Sequence, residues 1–341
     1  MADTLRSIAS DLPLAALLPI IAAAVFVLSK GADVLVEEAV ALSRRFHVSP
    51  VIIGATVVSL GTTAPEAAVS VLSAVEGDPG LALGNAVGSI ICNAGLIVGV
   101  AALIQPIAVD RRLLVRQGSA QMGAAVLLVV ASLPAVGGSV LPQWMGGVFV
   151  ALLVGYLLVS VRWARAAGAA EMNEHLGAEL HEVPVPSAPG ETAVALLKLG
   201  LGLGLVLVAS QILIPAVEAT ALRLGVPRAV VAASLVALGT SMPELVTAIT
   251  ASRKGHSDLA LGNVIGANVL NVLFVVGVSA AVTRGGLVVS SEFYRLFFPA
   301  MLTAGVILYA SAVIGGMRIG RPVGAALVVL YVGFVALGYV L

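Results

Sequence analysis

The chain contains the segment LGTTAPE at residues 60–66 and again, as LGTSMPE, at residues 238–244. A shift of 178 residues extends this match without a gap. It aligns residues 54–101 with residues 232–279, and 18 of the 48 aligned positions are identical. Self-similarity at a fixed shift indicates that the chain contains an internal repeat. We therefore interpret the chain as two related halves, each built around one copy of the segment.

The composition places both halves in a lipid bilayer. Of the 341 residues, 60% are hydrophobic and only 11% are charged, and the mean hydropathy is +1.10. A chain of this kind has too little polar surface to cover a water-soluble globule. Its apolar runs of roughly 17–25 residues match the length of a membrane-spanning helix, and the ~10-residue alternating segments of a transmembrane β-barrel are not seen. Ten transmembrane helices are predicted, at about residues 12–43, 50–75, 80–104, 112–133, 140–163, 191–222, 227–252, 258–283, 292–314 and 319–340.

The two repeats are predicted to lie in opposite orientations. Five predicted helices separate equivalent positions, and an odd number turns the second copy upside down in the membrane. Inverted repeats are typical of alternating-access transporters, whose substrate site lies near the bilayer midplane where the halves meet. The expected fold is thus all-α and integral to the membrane, with two inverted repeats of five helices and with helices two and seven broken. The expected organisation is a first half at 1–163 with its repeat at about 50–104, a cytoplasmic linker at 164–190, and a second half at 191–341 with its repeat at about 227–283.

Basic residues indicate how the chain is oriented. If the N-terminus lies outside the cytoplasm, the inner loops hold eleven Lys or Arg residues and the outer segments hold five, which favours both termini outside. The first apolar run is not interpreted as a signal peptide, because Asp3 and Asp11 flank it where basic residues are expected. We expect a multi-pass protein of the plasma membrane or bacterial inner membrane.

Glu66 and Glu244 occupy equivalent positions deep within apolar helices. A carboxylate there costs at least ~2.5–3.5 kcal/mol to insert and is a functional-site candidate by default. No Lys or Arg lies within either segment to neutralise it, and two unpaired carboxylates repel each other. A cation is therefore the natural partner, and the two charges match one Ca²⁺, two monovalent ions or two protons. The alternative is a structural carboxylate that is hydrogen-bonded to helix ends.

Prolines predict a break beside each glutamate. Pro65 and Pro243 lack a backbone N–H and bias the preceding residue away from helical geometry. A break at membrane depth is tolerated where the freed carbonyls line a cavity, although an ordinary helix kink is the alternative. Carbonyl, hydroxyl and carboxylate oxygens are hard ligands, which select Ca²⁺, Mg²⁺, Mn²⁺ or Na⁺. The carbonyls expected to be freed are those of Ser59, Thr62, Ala237 and Thr240.

Polar residues on the following helices offer further ligands. Ser89 and Asn93 are spaced i, i+4, so they share one helix face and can complete a coordination shell. Asn85 and Asn263 fit a ligand role and an interhelical hydrogen bond equally well. The acidic residues at 33, 37 and 38 are interpreted as a solvated or gate-lining face. The four histidines, at 47, 175, 181 and 256, fall in predicted loops and receive no ligand role, and Cys92 is interpreted as a packing residue.

The paired G-T-[TS]-x-P-E segments, each followed by G-N-x-x-G-[SA]-x-x-x-N, resemble the α-repeats of the calcium/cation antiporter superfamily, closest to the prokaryotic sodium/calcium exchangers. The resemblance covers the whole chain. It implies Ca²⁺ extrusion driven by Na⁺ influx, without a cofactor, as the first and sixth helices slide against the other eight. It makes Glu66 and Glu244 the shared Ca²⁺ and Na⁺ carboxylates and Thr62 and Thr240 carbonyl donors to Ca²⁺. It also implies supporting Na⁺-site roles for Ser59, Thr63, Ser89, Asn93, Ala237, Ser241 and Asn271.

Two departures from the family pattern bear on the counter-ion. Many prokaryotic members carry Ser and Asp where this chain has Ala267 and Asn271, so one hydroxyl ligand for Na⁺ is missing. This leaves open a proton-coupled exchanger or one that carries Mg²⁺ or Mn²⁺, although Asn93 and Asn271 replace the acidic residue of proton-coupled relatives and favour sodium.

A channel or cation receptor is a further alternative. An enzyme is not expected, because no nucleophile, base and orienting group fall at one membrane depth. The net charge is zero, so there is no electrostatic argument for nucleic acid as a partner. No obligate protein partner is evident.

Overall fold

The protein, described here by a computed structural model, is helical almost throughout. The structure describes residues 2–46, 50–111, 114–137, 139–177, 189–224 and 238–338. Its helices are α1 (Ala2–Asp11), α2 (Leu14–Arg45), α3 (Pro50–Thr62), α4 (Ala64–Glu76), α5 (Pro79–Ile104), α6 (Leu114–Ala131), α7 (Gln143–Gly177), α8 (Pro189–Arg223), α9 (Met242–Arg253), α10 (Ser257–Val282), α11 (Phe293–Ile314) and α12 (Arg321–Gly338).

Eight of the described helices are long and apolar enough to cross a membrane, namely α2, α5, α6, α7, α8, α10, α11 and α12. Helices α3 and α4 together make a ninth span, bent by 43°. The predicted seventh helix, at 227–252, begins outside the described residues, and α9 is its second part. The all-helical membrane fold is therefore confirmed, while the count of ten spans stays a prediction.

The predicted boundaries miss two helical segments that are not apolar. Residues 164–177, predicted as part of a linker, continue α7 as far as Gly177. Helix α1 was not predicted, and it packs its Ala9 against α2 and α8. The guanidinium of Arg223 donates to the Ser10 carbonyl at 2.7 Å and ties α1 to the end of α8. A hydropathy criterion finds apolar spans, and it passes over helical segments that are not apolar.

Two short antiparallel sheets reproduce the internal repeat in three dimensions. Strand β1 (Ile107–Ala108) pairs with β4 (Arg318–Ile319), and β2 (Val140–Leu141) pairs with β3 (Leu287–Val288). The shift of 178 residues carries β2 onto β4, and it brings β1 within two residues of β3. Each sheet therefore joins the end of a central helix, α5 or α10, to the start of the fifth predicted span of the opposite half.

Helices α5 and α10 form the centre of the protein. In an 18-residue apolar window of these two spans 78% and 83% of the residues are buried, against 17–44% in the same window of the other unbroken spans. Helix α3 and the glutamate-bearing helices α4 and α9 pack against them. Helices α2 and α8 cross at Gly31 and Gly202, where a Cβ atom on either glycine would lie 3.0 Å from the carbonyl oxygen of the other. Small residues of this kind let membrane helices approach closely.

Candidate functional site

Two helix breaks place the glutamates at the centre of the protein. Helices α3 and α4 meet at Thr63, where the chain bends by 43°. In the second repeat the chain turns at Ser241, between helical residues 238–240 and α9. Pro65 and Pro243 each take the second position of the new helix, where the missing N–H costs no helical hydrogen bond. The predicted break before each glutamate is confirmed.

The Glu66 and Glu244 side chains are fully buried, each with 0% exposure. Ser241 Oγ donates to Glu66 Oε1 at 3.0 Å, and Glu66 Oε2 has no hydrogen-bond partner. Both carboxylate oxygens of Glu244 lack a partner. The two charges lie close enough to repel each other, and among the described residues neither carboxylate forms an ion pair. Structural hydrogen bonding thus accounts for one carboxylate oxygen out of four, which disfavours a purely structural role.

Hydroxyl groups of each repeat approach the carboxylate of the other repeat. Ser241 bonds to Glu66, and Thr240 lies beside the same carboxylate. The equivalent pair in the first repeat, Thr62 and Thr63, lies beside the Glu244 carboxylate. Each carboxylate therefore lies beside two hydroxyl groups at the break in the opposite repeat. The two breaks thus bring hydroxyl and carboxylate oxygens of both repeats together.

Asn85 and Asn263 connect the central helices to these breaks. Thr240 Oγ1 donates to Asn85 Oδ1 at 3.2 Å, and Thr62 Oγ1 donates to Asn263 Oδ1 at 3.3 Å. Asn85 Nδ2 donates in turn to the carbonyl oxygen of Glu66 at 3.3 Å. Because both side-chain oxygens already accept a hydrogen bond, the structure favours interhelical bonding for these two residues over the ligand role that the sequence left open.

The break does not free every carbonyl that was expected. The Ser59 carbonyl accepts the Thr63 N–H at 2.9 Å, so the prediction that it is unpaired is wrong, because the helix continues to Thr62. The carbonyl that loses its usual donor is that of Gly61, since Pro65, four residues later, has no N–H. Ala237, the equivalent of Ser59, lies outside the described residues.

Helices α5 and α10 contribute the predicted hydroxyl and amide groups. Ser89, Asn93 and Asn271 are fully buried, and Ser89 Oγ lies 3.5 Å from Thr240 Oγ1. Asn93 Nδ2 donates to Asn268 Oδ1 at 3.1 Å, which leaves Asn93 Oδ1 unpaired. Neither polar atom of the Asn271 side chain has a partner. Asn93 and Asn271 each begin a π-helical turn, a feature that is frequent at functional sites.

Most of the predicted site residues are linked by hydrogen bonds or electrostatic interactions. These interactions join Glu66, Glu244, Thr62, Thr63, Thr240, Ser241 and Ser89. Ser59, Asn93 and Asn271 lie buried on the same or neighbouring segments. Asn268 was missed, because the first repeat has Ile90 at the equivalent position and a search for shared residues passes over it. The signal that could have found it is an amide inside an otherwise apolar span.

The sequence model of the sodium/calcium exchanger protein family matches residues 16–162 and 194–340. The chain belongs to this family. The exchanger is 34% identical to the inner membrane protein YrbG of Escherichia coli, over 91% of this chain and 92% of that protein. It is 30% identical to the sodium/calcium exchanger MaX1 of Methanosarcina acetivorans, over 90% and 94% of the two chains. The expected resemblance is confirmed, and the family consists of transporters and not of enzymes.

A solved structure supports the same assignment. The sodium-calcium exchanger NCX_Mj matches the exchanger with a TM-score of 0.77 and 28% sequence identity, over 95% of this chain and 99% of the other. The match extends over both halves of the chain. The exchanger is accordingly an all-helical, multi-pass membrane protein that exchanges Na⁺ and Ca²⁺ and needs no cofactor.

The acidic face of α2 is paired with lysines and is not simply solvated. Lys254, just after α9, lies 2.6 Å from Glu37 Oε1 and 3.1 Å from Asp33 Oδ1. Lys198 on α8 lies 3.3 Å from Glu38 Oε1. Partial burial lowers the pKa of Lys254, but hydrogen bonds to Glu37 and Asp33 more than offset this effect and raise the pKa above its ordinary value. These pairs connect α2 to the ends of two neighbouring helices.

We expect Lys254→Met to destabilise the exchanger by less than about 1 kcal/mol, because the Asp33 and Glu37 side chains are 33% and 66% exposed and solvent screens the pairs. A raised lysine pKa adds stability that is complete below the ordinary value and is lost as the pH rises through the folded-state value. The difference between the two proteins should therefore stay constant from about pH 6 to pH 9. Thermal unfolding in detergent measures it. A stability difference that changed with pH within this range would contradict the assignment of a raised pKa to Lys254.

Proposed function

We propose that the exchanger carries Ca²⁺ in one direction and Na⁺ in the other by alternating access, at a single site shared by Glu66 and Glu244. The observation that carries this proposal is the pair of fully buried carboxylates, one from each repeat, that no basic group among the described residues neutralises. An uncompensated charge is costly at membrane depth. A site of this kind is stable when cations supply two positive charges.

Exchange follows if both ions use the same carboxylates. Two negative charges are balanced by one Ca²⁺ or by two Na⁺, and both ions prefer hard oxygen ligands. The ions then compete, so loading one kind displaces the other. The empty site retains two unpaired charges in a low-dielectric interior, which makes the change between outward and inward access costly without cargo. Coupled exchange is the result, and an uncoupled leak is suppressed.

The remaining ligands are proposed from the two breaks and the central helices. We assign the backbone carbonyls of Thr62 and Thr240 to Ca²⁺. Residues assigned to the supporting Na⁺ sites are Ser59, Thr63, Ser89, Asn93, Ala237, Ser241 and Asn271. The two halves are unequal, because Ala267 takes the place that Ser89 holds in the first half. Na⁺ should bind more weakly in the half that lacks this hydroxyl.

The direction of transport follows from the gradients across the membrane. With a high outside Na⁺ concentration, Na⁺ influx drives Ca²⁺ extrusion. We place the exchanger in the plasma membrane or bacterial inner membrane with both termini outside, on the basis of its loop charges. The two five-helix halves, at 1–163 and 191–341, then alternate around the shared site.

Flux in proteoliposomes tests this proposal. Purified exchanger is reconstituted, the vesicles are loaded with Na⁺ and diluted into Na⁺-free buffer that contains radiolabelled Ca²⁺. We expect rapid uptake that stops when internal and external Na⁺ are made equal. A second set of vesicles, free of Na⁺ and carrying an imposed pH gradient, should take up no Ca²⁺ above the level of empty liposomes.

Each alternative predicts a different result in the same assay. Uptake driven by the pH gradient without Na⁺ would identify a proton-coupled exchanger. Uptake that needs no counter-ion gradient would identify a channel. Competition by excess Mg²⁺ or Mn²⁺ against labelled Ca²⁺ measures selectivity among divalent ions, and complete displacement by either ion would reject Ca²⁺ as the preferred substrate.

A further inference from the structure

We infer that Asn268 is a positioning residue that fixes the orientation of the Asn93 side chain and thereby sets the affinity of the exchanger for Na⁺. Asn268 lies on α10, at a variable position of the second G-N-x-x-G-[SA]-x-x-x-N segment, and is 1% exposed. This inference rests on the proposed function, because it assigns a role within the proposed Na⁺ sites. It concerns one hydrogen bond between the two central helices.

The bond determines which end of the Asn93 carboxamide is available. Asn93 Nδ2 donates to Asn268 Oδ1 at 3.1 Å. The amide group is planar, so holding the nitrogen on Asn268 turns the oxygen of Asn93 away from it. That oxygen is buried and has no hydrogen-bond donor. Buried polar atoms rarely lack a partner, and this one lies on the helix that carries Ser89 toward Thr240 and the glutamates.

A carboxamide presents opposite charges at its two ends. The oxygen is an acceptor and binds a cation, whereas the NH₂ group is a donor and repels one. If the Asn93 side chain were free to rotate, it would present the wrong end for part of the time. Asn268 removes this freedom by accepting the hydrogen bond. The cation then meets an oxygen that is already oriented, with no reorganisation when it binds.

The opposite half lacks this arrangement. The equivalent of Asn93 is Asn271, and the equivalent of Asn268 is Ile90, which is buried and offers no polar atom. Neither atom of the Asn271 amide has a partner. The duplicated asparagines are therefore equivalent in sequence but differ in structure, since the Asn93 amide is hydrogen-bonded to Asn268 and the Asn271 amide has no hydrogen bond. The site in the first half is the one that Asn268 organises.

The expected effect is a selective loss of Na⁺ affinity. Asn268→Ile copies the residue of the other repeat and removes the acceptor. We expect the half-saturating Na⁺ concentration to rise roughly three- to tenfold, the range for losing one hydrogen bond. The maximal exchange rate at saturating Na⁺ and the half-saturating Ca²⁺ concentration should both stay within about twofold, because the glutamates are untouched. Asn268→Ala removes the same acceptor with a smaller side chain, in case the isoleucine variant does not assemble.

A double-mutant cycle separates positioning from general packing. In the Asn93→Ala background there is no amide left to orient, so Asn268→Ile should add no further change in Na⁺ affinity. A packing role for Asn268 would instead give the same loss in both backgrounds. Ser279→Ala is the matched control, because Ser279 is another buried polar residue of α10 without a side-chain partner. This variant should keep the native Na⁺ affinity.

The outcomes distinguish this inference from the proposed function. If the native protein shows no Na⁺-dependent Ca²⁺ uptake, the proposed function fails. If the native protein exchanges normally but Asn268→Ile and Asn268→Ala keep the native Na⁺ affinity, or lose it equally with and without Asn93, the positioning role is overturned. Na⁺-dependent flux is measured in proteoliposomes, and Na⁺ displacement of labelled Ca²⁺ from the detergent-solubilised protein provides an equilibrium readout that does not require transport.

Discussion

Glu66→Gln and Glu244→Gln are each expected to reduce Na⁺-dependent Ca²⁺ uptake to the level of empty liposomes. Either change removes one of the two negative charges of the proposed cation site, while the amide keeps the size of the side chain. Breaking a buried charge pair costs roughly 3–5 kcal/mol, and 3 kcal/mol corresponds to a loss of more than about 100-fold in affinity. The rate of labelled Ca²⁺ uptake by Na⁺-loaded proteoliposomes measures the effect.

Stability separates the loss of a ligand from the loss of the fold. In ion-free buffer the Gln variants should be at least as stable as the native exchanger, because a neutral amide replaces a buried, unpaired carboxylate. Added Ca²⁺ should raise the melting temperature of the native protein by mass action and leave the variants unchanged. Glu76→Gln is the matched control, since Glu76 lies exposed at the other end of α4, and this variant should exchange normally. Retained exchange in either site variant would refute the assigned site.

The centre of the proposed site could be selected from the sequence because duplication and membrane depth are two independent criteria. Glu66 and Glu244 meet both criteria, because they are shared by the two repeats and because a carboxylate is too costly to bury at membrane depth without a partner. Pro65 and Pro243 add a backbone rule that depends little on tertiary context, and the breaks are where that rule puts them. What the sequence alone could not supply was the crossing of the two halves, in which Ser241 bonds to Glu66 while Thr62 and Thr63 approach Glu244.

The features that were missed depend on contacts between distant segments. The pairing of Asn268 with Asn93 joins two helices across 175 residues of sequence, and no local pattern encodes it. The roles of Asn85 and Asn263 stayed open for the same reason, because only the structure shows that their oxygens accept from the opposite repeat. The freed carbonyl was assigned two residues too early, at Ser59, since proline removes the donor to Gly61 and not to Ser59. Helix α1 has no span-length apolar run to reveal it.

Gly262→Ala is expected to destabilise the exchanger strongly and to abolish transport. A Cβ atom at this position would lie 2.2 Å from the carbonyl oxygen of Val51 and 2.9 Å from the Val51 Cα atom. These are backbone atoms of α3, so no side-chain rotation relieves the clash and the two helices must move apart. Overpacking of this kind costs roughly 1–3 kcal/mol or more. Helix α3 leads directly to Thr62 and the break, so its displacement also disturbs the cation site.

The internal repeat supplies the control for this prediction. Gly84 is the residue equivalent to Gly262 in the first half, but the nearest atom to a Cβ placed there is Phe293 Cζ at 4.0 Å, an ordinary van der Waals contact. Gly84→Ala should therefore be tolerated, and because alanine favours helices over glycine by up to about 1 kcal/mol, it should raise the melting temperature if it changes it at all. The two variants make the same chemical change at equivalent positions, so helix propensity cancels between them. Thermal unfolding and Na⁺-driven Ca²⁺ uptake should separate them clearly, and equal behaviour would show that the contact between α3 and α10 does not hold the two repeats in place.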